Sequence, residues 1–354
     1  MHTLIVNEPI EIGRGRQLPR GSWLADTVNA GLWLAQNPRR VELHPAPVLR
    51  EWDKKRKNVL VIRPGGLGDL IMLTPILRAL HQLGQRVSVC TVPSNATVLE
   101  GLHFVHECID YPLRTDLLRG YDAVVSLEGT VEDAEHPATE HALECFWRKF
   151  PFLCIPDRQP ELWLSEFEKA AALLKWPRPK GKHVVGVQLA ASSPVRSYPQ
   201  VHNLLKVLLH MGCGLRLFGE PGRHPVQITA ALSDRVQVLP AANPAPNFRQ
   251  SMALAADCDC LVCPDSSLVH VAGALGIPCV ALYGSFPAIV RVKYYPTVLP
   301  IEGRGECAGC CHHGRPKMWP QAHCARSQFC HVLDSIHPAA IAAMVKQVLE
   351  RRAD

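Results

Sequence analysis

Apolar residues along this chain come in two spacings that alternate. Asn58-Val-Leu-Val-Ile-Arg63 encloses an aliphatic run, Val59 to Ile62, of the kind that forms a buried strand. Pro64-Gly-Gly-Leu-Gly68 is a turn, and residues 69–83 then carry Leu70, Leu73, Leu77 and Leu80 at helical spacing. Further strands are expected at 87–92 and 123–127. After Trp176-Pro-Arg-Pro-Lys-Gly-Lys182, which reads as a linker, the alternation restarts. Strands are expected at 183–189, 215–219, 236–239, 260–263 and 279–283, with helices at 200–211 and 248–256. A last helix over 338–352 has apolar residues at Ile341, Met344, Val345 and Val348. Strands alternating with helices predict parallel, doubly wound α/β sheets, here two of them. Two such domains predict a cleft, with ligands bound beyond the carboxyl ends of the strands. Residues 1–57 are weakly patterned, with a short amphipathic helix expected at 22–34. The expected division is therefore an N-terminal extension (1–57), a first domain (58–178), a second domain (179–335) and a final helix (336–354).

Composition narrows the class. A chain of 354 residues with 47% hydrophobic and 20% charged residues is globular and long enough for two cores. No apolar run approaches the ~20 residues of a membrane span. The first residues lack the basic start and long apolar stretch of a signal peptide, so a cytoplasmic protein is expected. A net charge of +6 suits acidic partners without choosing among them. The run Lys54-Lys55-Arg56-Lys57 reads as a solvated linker, with a docking patch for an anionic acceptor or membrane surface as the sharper alternative. Fourteen cysteines are expected to be reduced, and Cys90, Cys260, Cys263 and Cys279 lie in apolar runs as core residues.

Two loops carry candidate chemistry. In Cys263-Pro-Asp-Ser-Ser-Leu-Val-His270, a strand ends and a helix begins; Asp265, Ser266 and Ser267 are good N-cap residues. A helix N-terminus at a strand end is a ready diphosphate site, which points to a nucleotide-linked substrate. His270 reads either as a phosphate or sugar contact or as a polar residue satisfied by the backbone. The second loop is Arg63-Pro-Gly-Gly-Leu-Gly-Asp69. Ile71 stands where a dinucleotide fingerprint needs its third glycine, and no Gly-Lys-Ser/Thr follows. Gly65, Gly66 and Gly68 therefore form a tight turn or an acceptor or phosphate loop. Asp69, at the helix start, is a candidate general base for a hydroxyl; the plainer reading is a helix cap.

A third cluster lies downstream. Cys307-Ala-Gly-Cys310-Cys311 is followed by Cys324 and Cys330 in a segment rich in Gly, Pro and His. The pattern reads as a metal knuckle holding a structural zinc or iron on Cys307, Cys310, Cys324 and Cys330, with Cys311, His312, His313 and His323 as possible substitutes. Free thiols in a loop are the alternative.

Residues 61–80 resemble the opening of the family 9 glycosyltransferases, the ADP-heptose:lipopolysaccharide heptosyltransferases. Asp265-Ser-Ser-Leu-Val-His270, with Ala274-Leu-Gly-Ile-Pro and Ala281-Leu-Tyr-Gly, resembles their donor-binding signature. The likeness covers residues 58 to about 290 and the last helix, not the first 57. It implies a GT-B fold of two Rossmann-like domains, a final helix crossing back to the first, and inverting sugar transfer from a nucleotide diphosphate without a catalytic metal. It implies Asp69 as general base, and Asp265, Ser266, Ser267 and His270 around the donor's diphosphate and sugar. It further implies Ser193 and Arg196 at the phosphates and Glu220 at the nucleoside. Arg196 departs from the lysine many members use. The autotransporter branch resembles this chain in a cysteine-ligated iron. ADP-heptose is the implied donor, and an inner-core glycolipid the implied acceptor, with contact at the inner face of the membrane. A protein acceptor, and less so the hydroxylated bases of DNA, are alternatives. A different class, a non-catalytic nucleotide-sugar binder or scaffold, is disfavoured by Asp69, Arg196, Glu220 and the 265–270 loop occurring together. An epimerase lacks identifiable carboxylate and histidine positions, and the failed glycine fingerprint disfavours a nicotinamide dehydrogenase.

Overall fold

The computed structural model describes residues 1–13, 15–134, 139–220, 234–310 and 329–351. The chain forms two compact units, one of residues 1–131 and 143–157, the other of residues 132–142 and 158–354.

The first unit is built on a parallel sheet. Asn58–Ile62 lies between Ala123–Ser126 and Arg86–Thr91, and Glu107–Asp110 pairs with the far side of Arg86–Thr91. In order of sequence, the strands are arranged 4-1-2-3. The helix Leu67–Gln82 follows the first strand and buries Leu70, Leu73, Ile76, Leu77 and Leu80. Pro75 sits inside it and cannot donate to the carbonyl of Ile71, but the Thr74 hydroxyl does so at 2.8 Å.

The first residues are more ordered than their patterning predicts. His2–Val6 pairs antiparallel with both Gly21–Ala25 and Val41–Pro45, and Gly21–Ala25 also pairs with Leu113–Arg114. The helix expected at 22–34 is Thr27–Gln36, because Ser22 to Ala25 are held in the ladder and Asp26 caps the helix through the Asn29 amide. Leu4, Leu24 and Trp33 share a core with Leu60, Ile62 and Cys90 of the parallel sheet. The Tyr111 hydroxyl donates to Asp26 at 2.6 Å within the same unit.

The second unit carries a six-stranded parallel sheet among the described residues. Its spatial order is Val236–Val238, Gly214–Phe218, Val184–Gln188, Cys260–Pro264, Cys279–Tyr283, Val298–Glu302. Counted along the sequence that is 3-2-1-4-5-6, the order of a Rossmann sheet, whose ligand crevice opens between strands 1 and 4. Val298–Glu302 was not expected as a strand: Pro300 interrupts its pattern, and an edge position tolerates the missing donor. Helix Ser267–Leu275 joins strands 4 and 5 and ends at Gly276, whose φ of 69° is left-handed.

Two boundaries differ from the sequence reading. Residues 158–178 belong to the second unit: helix Glu166–Lys175 packs on Phe248–Ala256, and Glu168 pairs with Arg249. The Pro-rich stretch at 176–182 is no free tether. Trp176 is buried, Lys182 donates to Gly212 at 3.2 Å, and Lys180 donates to Asp234 at 2.8 Å. The final helix, Pro338–Glu350, was expected to cross to the first domain. In the structure it packs on helix Val201–His210, and Ile341, Ala342, Val345, Val348 and Leu349 belong to the second unit's own core. Its apolar stripe fits the gap that helix and the sheet leave.

Among the described residues, no helix is long and apolar enough to cross a membrane. Cys90, Cys260, Cys263 and Cys279 are buried free thiols, and burial pushes Cys90 up to about 12.

Candidate functional site

Each unit gathers charged side chains at the carboxyl edge of its parallel sheet. In the first unit the strand Asn58–Ile62 delivers Arg63, which is 4% exposed despite its charge. Its guanidinium donates to the Leu127 carbonyl, just past the fourth strand, at 3.0 Å and lies 5.2 Å from the Phe146 ring centre. It also donates to Asp69 Oδ2 at 3.1 Å. The same oxygen accepts the Gly66 amide at 3.0 Å, so Asp69 caps the helix that Gly66 begins.

The cap and the ion pair explain the glycines differently. A Cβ on Gly65 would lie 2.5 Å from Asp69 Oδ2 and 2.7 Å from Arg63 Nε, so residue 65 must lack a side chain for the pair to form. A Cβ on Gly66 would come no nearer than 4.0 Å to Asp69, and its role is the exposed cap position. Gly68 is half-buried in the first turn.

The second unit's group stands at the switch point of the Rossmann order. Arg196, in the turn Pro194–Arg196 after strand 1, lies 3.4 Å from Asp265 Oδ2 after strand 4. Arg291 Nε lies 3.5 Å from Asp265 Oδ1. The Phe286 ring centre is 4.6 Å from the Arg291 guanidinium and 5.9 Å from that of Arg196, so one ring serves both cations. Asp265 is deeply buried, which works against its charge, but Arg291, then Arg196 and His270, outweigh that and hold its carboxyl below the ordinary value.

The remaining predicted residues are placed as follows. Ser193 supplies a carbonyl to the Arg196 amide at 3.1 Å and to the Ser197 hydroxyl at 3.0 Å, while Ser192 bonds the Arg196 guanidinium. Ser266 caps helix Ser267–Leu275 with its backbone, and Ser267 is half-buried in the first turn. The Ser266 hydroxyl oxygen is buried without a hydrogen-bond partner among the described residues, as is the Tyr283 hydroxyl at the end of strand 5. Burial, then the nearby Asp265 charge, push the Tyr283 phenol well up. His270 is buried, with Nδ1 in a 2.9 Å hydrogen bond to the Tyr295 hydroxyl. Gly273 makes room for that tyrosine, since a Cβ there would lie 2.2 Å from the ring. Glu220 is exposed two residues past Phe218.

Sequence reasoning missed Arg63, Arg291, Phe286 and Tyr283 as site residues. Arg63 and Arg291 had a usable signal: each is a lone cation bordered by aliphatic residues, Val-Ile-Arg63 and Ile-Val-Arg291-Val. Lone buried charges need a partner, and the aspartates supply it.

Of the cysteine cluster, Cys307, Cys310 and Cys330 are described; Cys324, with Cys311, His312, His313 and His323, lies outside the described residues. Cys310 N–H donates to the Cys307 carbonyl at 3.2 Å in a tight turn, and burial pushes the Cys330 thiol up, with Cys310 and Cys307 near enough to add to it. Among the described residues no three His, Cys, Asp or Glu side chains form a group that would hold a metal.

Residues 117–296 match the sequence model of glycosyltransferase family 9 (heptosyltransferase). Lipooligosaccharide heptosyltransferase 2 of Haemophilus influenzae is 33% identical over 141 residues, which are 38% of this chain and 39% of that protein. The aligned stretch thus spans about two fifths of the relative. In structure, ADP-heptose lps heptosyltransferase II of E. coli superposes with a TM-score of 0.64 at 18% identity, covering 84% of this chain and 100% of that one. The iron-containing dodecameric glycosyltransferase TibC of enterotoxigenic E. coli gives 0.57 at 14% identity, covering 100% of this chain and 92% of that one. At these identities the likeness to the solved structures is one of fold.

Proposed function

The chain belongs to glycosyltransferase family 9, and from that premise we propose that it transfers a heptose from ADP-heptose to a hydroxyl of a lipopolysaccharide-type glycolipid, with inversion at the anomeric carbon. The observation that carries the donor half is the Arg196–Asp265–Arg291 group at the switch point of a Rossmann sheet, beside the start of helix Ser267–Leu275. A nucleoside diphosphate gathers negative charge as its bond to the sugar breaks. Two guanidiniums held in advance, and the free amides of a helix start, stabilise that charge with no metal needed for the purpose. The Ser266 and Tyr283 hydroxyls, buried without partners among the described residues, are suited to donate to phosphate or sugar oxygens. His270 acts here through Tyr295 and through its effect on Asp265. Ser193 shapes the Arg196 turn, and Glu220 is assigned to the nucleoside.

Asp69 is the base. Arg63 and the Gly66 amide fix one carboxylate oxygen, and with it the orientation of the group, which is 22% exposed and can be reached by an acceptor hydroxyl. The hydroxyl oxygen attacks the anomeric carbon, its proton passes to Asp69, and the carbon–oxygen bond to the diphosphate breaks. The relatives' names, which specify lipopolysaccharide and lipooligosaccharide, support the glycolipid acceptor; work at the inner face of the membrane is proposed with it, since such an acceptor is membrane-borne. Replacing Asp69 by Asn should lower kcat about 10²–10⁴-fold with ADP-heptose affinity unchanged, because the donor groups lie elsewhere. A folded Asp69→Asn protein with full transferase activity would defeat the assignment.

A structural metal on Cys307, Cys310, Cys324 and Cys330 is the second part of the reading. The Cys307–Cys310 turn supports it, as does the iron named for TibC, although Cys307, Cys310 and Cys330 do not by themselves form a metal-holding group. Bound there, zinc or iron would cross-link the segment, and four thiolates leave no open position for chemistry. Purified protein should carry close to one zinc or iron per chain by elemental analysis; less than ~0.2 without chelator present would dismiss the site.

A further inference from the structure

Helix Glu166–Lys175 wears its apolar stripe on the outside. Phe167 is 82% and Leu174 86% exposed, and Ala170 and Ala171 are exposed between them. Positions i, i+3, i+4 and i+7 share one face of a helix, the spacing by which a helix normally meets a core. This helix meets its own core with the other side: Ala172 is buried, and Glu168 pairs with Arg249. Trp163, 47% exposed, stands just before the N-cap Ser165.

We propose that this face is a self-association surface, its occupant the same helix of a second copy of the chain, packed antiparallel about a twofold axis. The stripe is symmetric about its midpoint. Two alanines form the centre, and one large apolar residue stands three and a half positions to each side. In an antiparallel pair each Phe167 meets the other copy's Leu174, and the central alanines let the helices approach closely. That is the self-complementarity an isologous interface needs. Charge favours the same occupant. The helix bears Glu166 and Glu168 toward its start, Lys169 within, and Lys175 at its end, for no net charge. Antiparallel packing brings the acidic first turn of one copy to the same end as the other's Lys175 and opposes the two helix dipoles. An anionic membrane surface would instead call for a basic rim, which this helix lacks.

Sedimentation velocity of the full chain from about 1 to 100 μM should show reversible dimers, a contact of one helix face being a weak one. Phe167→Glu or Leu174→Glu should weaken association roughly 30-fold or more, as loss of an apolar anchor does. Circular dichroism should be unchanged, since both side chains are exposed. Mild oxidation of Ala170→Cys should give a cross-linked dimer, because residue 170 lies next to the axis; Lys169→Cys, on the opposite face, should not. A wild-type chain that stays monomeric throughout, or association untouched by both Glu substitutions, would overturn the proposal. So would a monomer that binds phosphatidylcholine vesicles through Phe167, which would make the face a membrane contact.

Discussion

Each unit places an aspartate beside an arginine at the carboxyl edge of its parallel sheet, and the two pairs are built for opposite ends. Asp69 meets one guanidinium and one amide, and its side chain is 22% exposed. Asp265 lies between two guanidiniums that share one aromatic ring, and its side chain is 6% exposed. A carboxylate that must receive a proton needs a path for the hydroxyl that brings it. A carboxylate that must hold cations in place needs to be dry and fully engaged. Exposure and the number of cations, rather than residue type, separate a base from a positioning residue here.

The comparison breaks most sharply under Asn substitution. At position 69 the change should take away catalysis and leave donor binding nearly intact, with a smaller loss of stability because the Leu127 carbonyl and the Phe146 ring still hold Arg63. At position 265 the larger loss should be in stability, because two guanidiniums, one of them 8% exposed, would lose their counter-charge. Breaking a buried pair from one side costs on the order of 3 kcal/mol. Acid should reveal the same difference. Asp265 is held below its ordinary 3.8 in the folded chain, so its ionised form contributes stability at neutral pH. That contribution fades as pH falls below 3.8 and through the lower folded value, where the native state must finally take up the proton. Urea melts of Asp265→Asn should therefore show less stability than wild type at pH 7, with the gap holding down to about pH 3.8 and narrowing only below it. A constant gap down to acid unfolding would mean that Asp265 does not act through its charge.

How much of this was written in the sequence follows from the range of the interactions. Strand 1 and its helix in the first unit were legible because four consecutive apolar residues and a 3.6-residue period are local signals. The start of helix Ser267–Leu275 was legible for the same reason, with Ser266 at its N-cap, but the capping bonds expected of Asp265 and Ser266 are not made: Asp265 turns to the arginines and Ser266 caps with its backbone alone. Arg291 was not, because its partner stands 26 positions away and only the Rossmann order brings them together. The antiparallel sheet of the first residues was missed as well: His2–Val6 has a mixed burial pattern, and its two partners are set by pairing across the sheet. The same holds for the boundary at 157, where proline-rich composition at 176–182 suggested a linker that long-range hydrogen bonds instead tie down.

The finest distinction concerns the orientation of Asp69, and Gly65 isolates it. The glycine is not there for its backbone dihedral angles, as its φ lies outside the left-handed region, so alanine would be acceptable to the chain itself. What alanine cannot share is the space of the ion pair: its Cβ would stand 2.5 Å from Asp69 Oδ2. The exposed end of the pair yields more easily than buried Arg63, which Leu127 and Phe146 hold from behind. Gly65→Ala should therefore turn Asp69 away while keeping its charge. Displacing a catalytic group by about 1 Å costs roughly 10²-fold in kcat, against the fuller loss for Asp69→Asn. ADP-heptose affinity and melting temperature should change little. If Gly65→Ala lowers donor affinity instead and leaves kcat alone, the glycine loop is a phosphate cradle, and Asp69 owes its position to the helix cap rather than to Arg63.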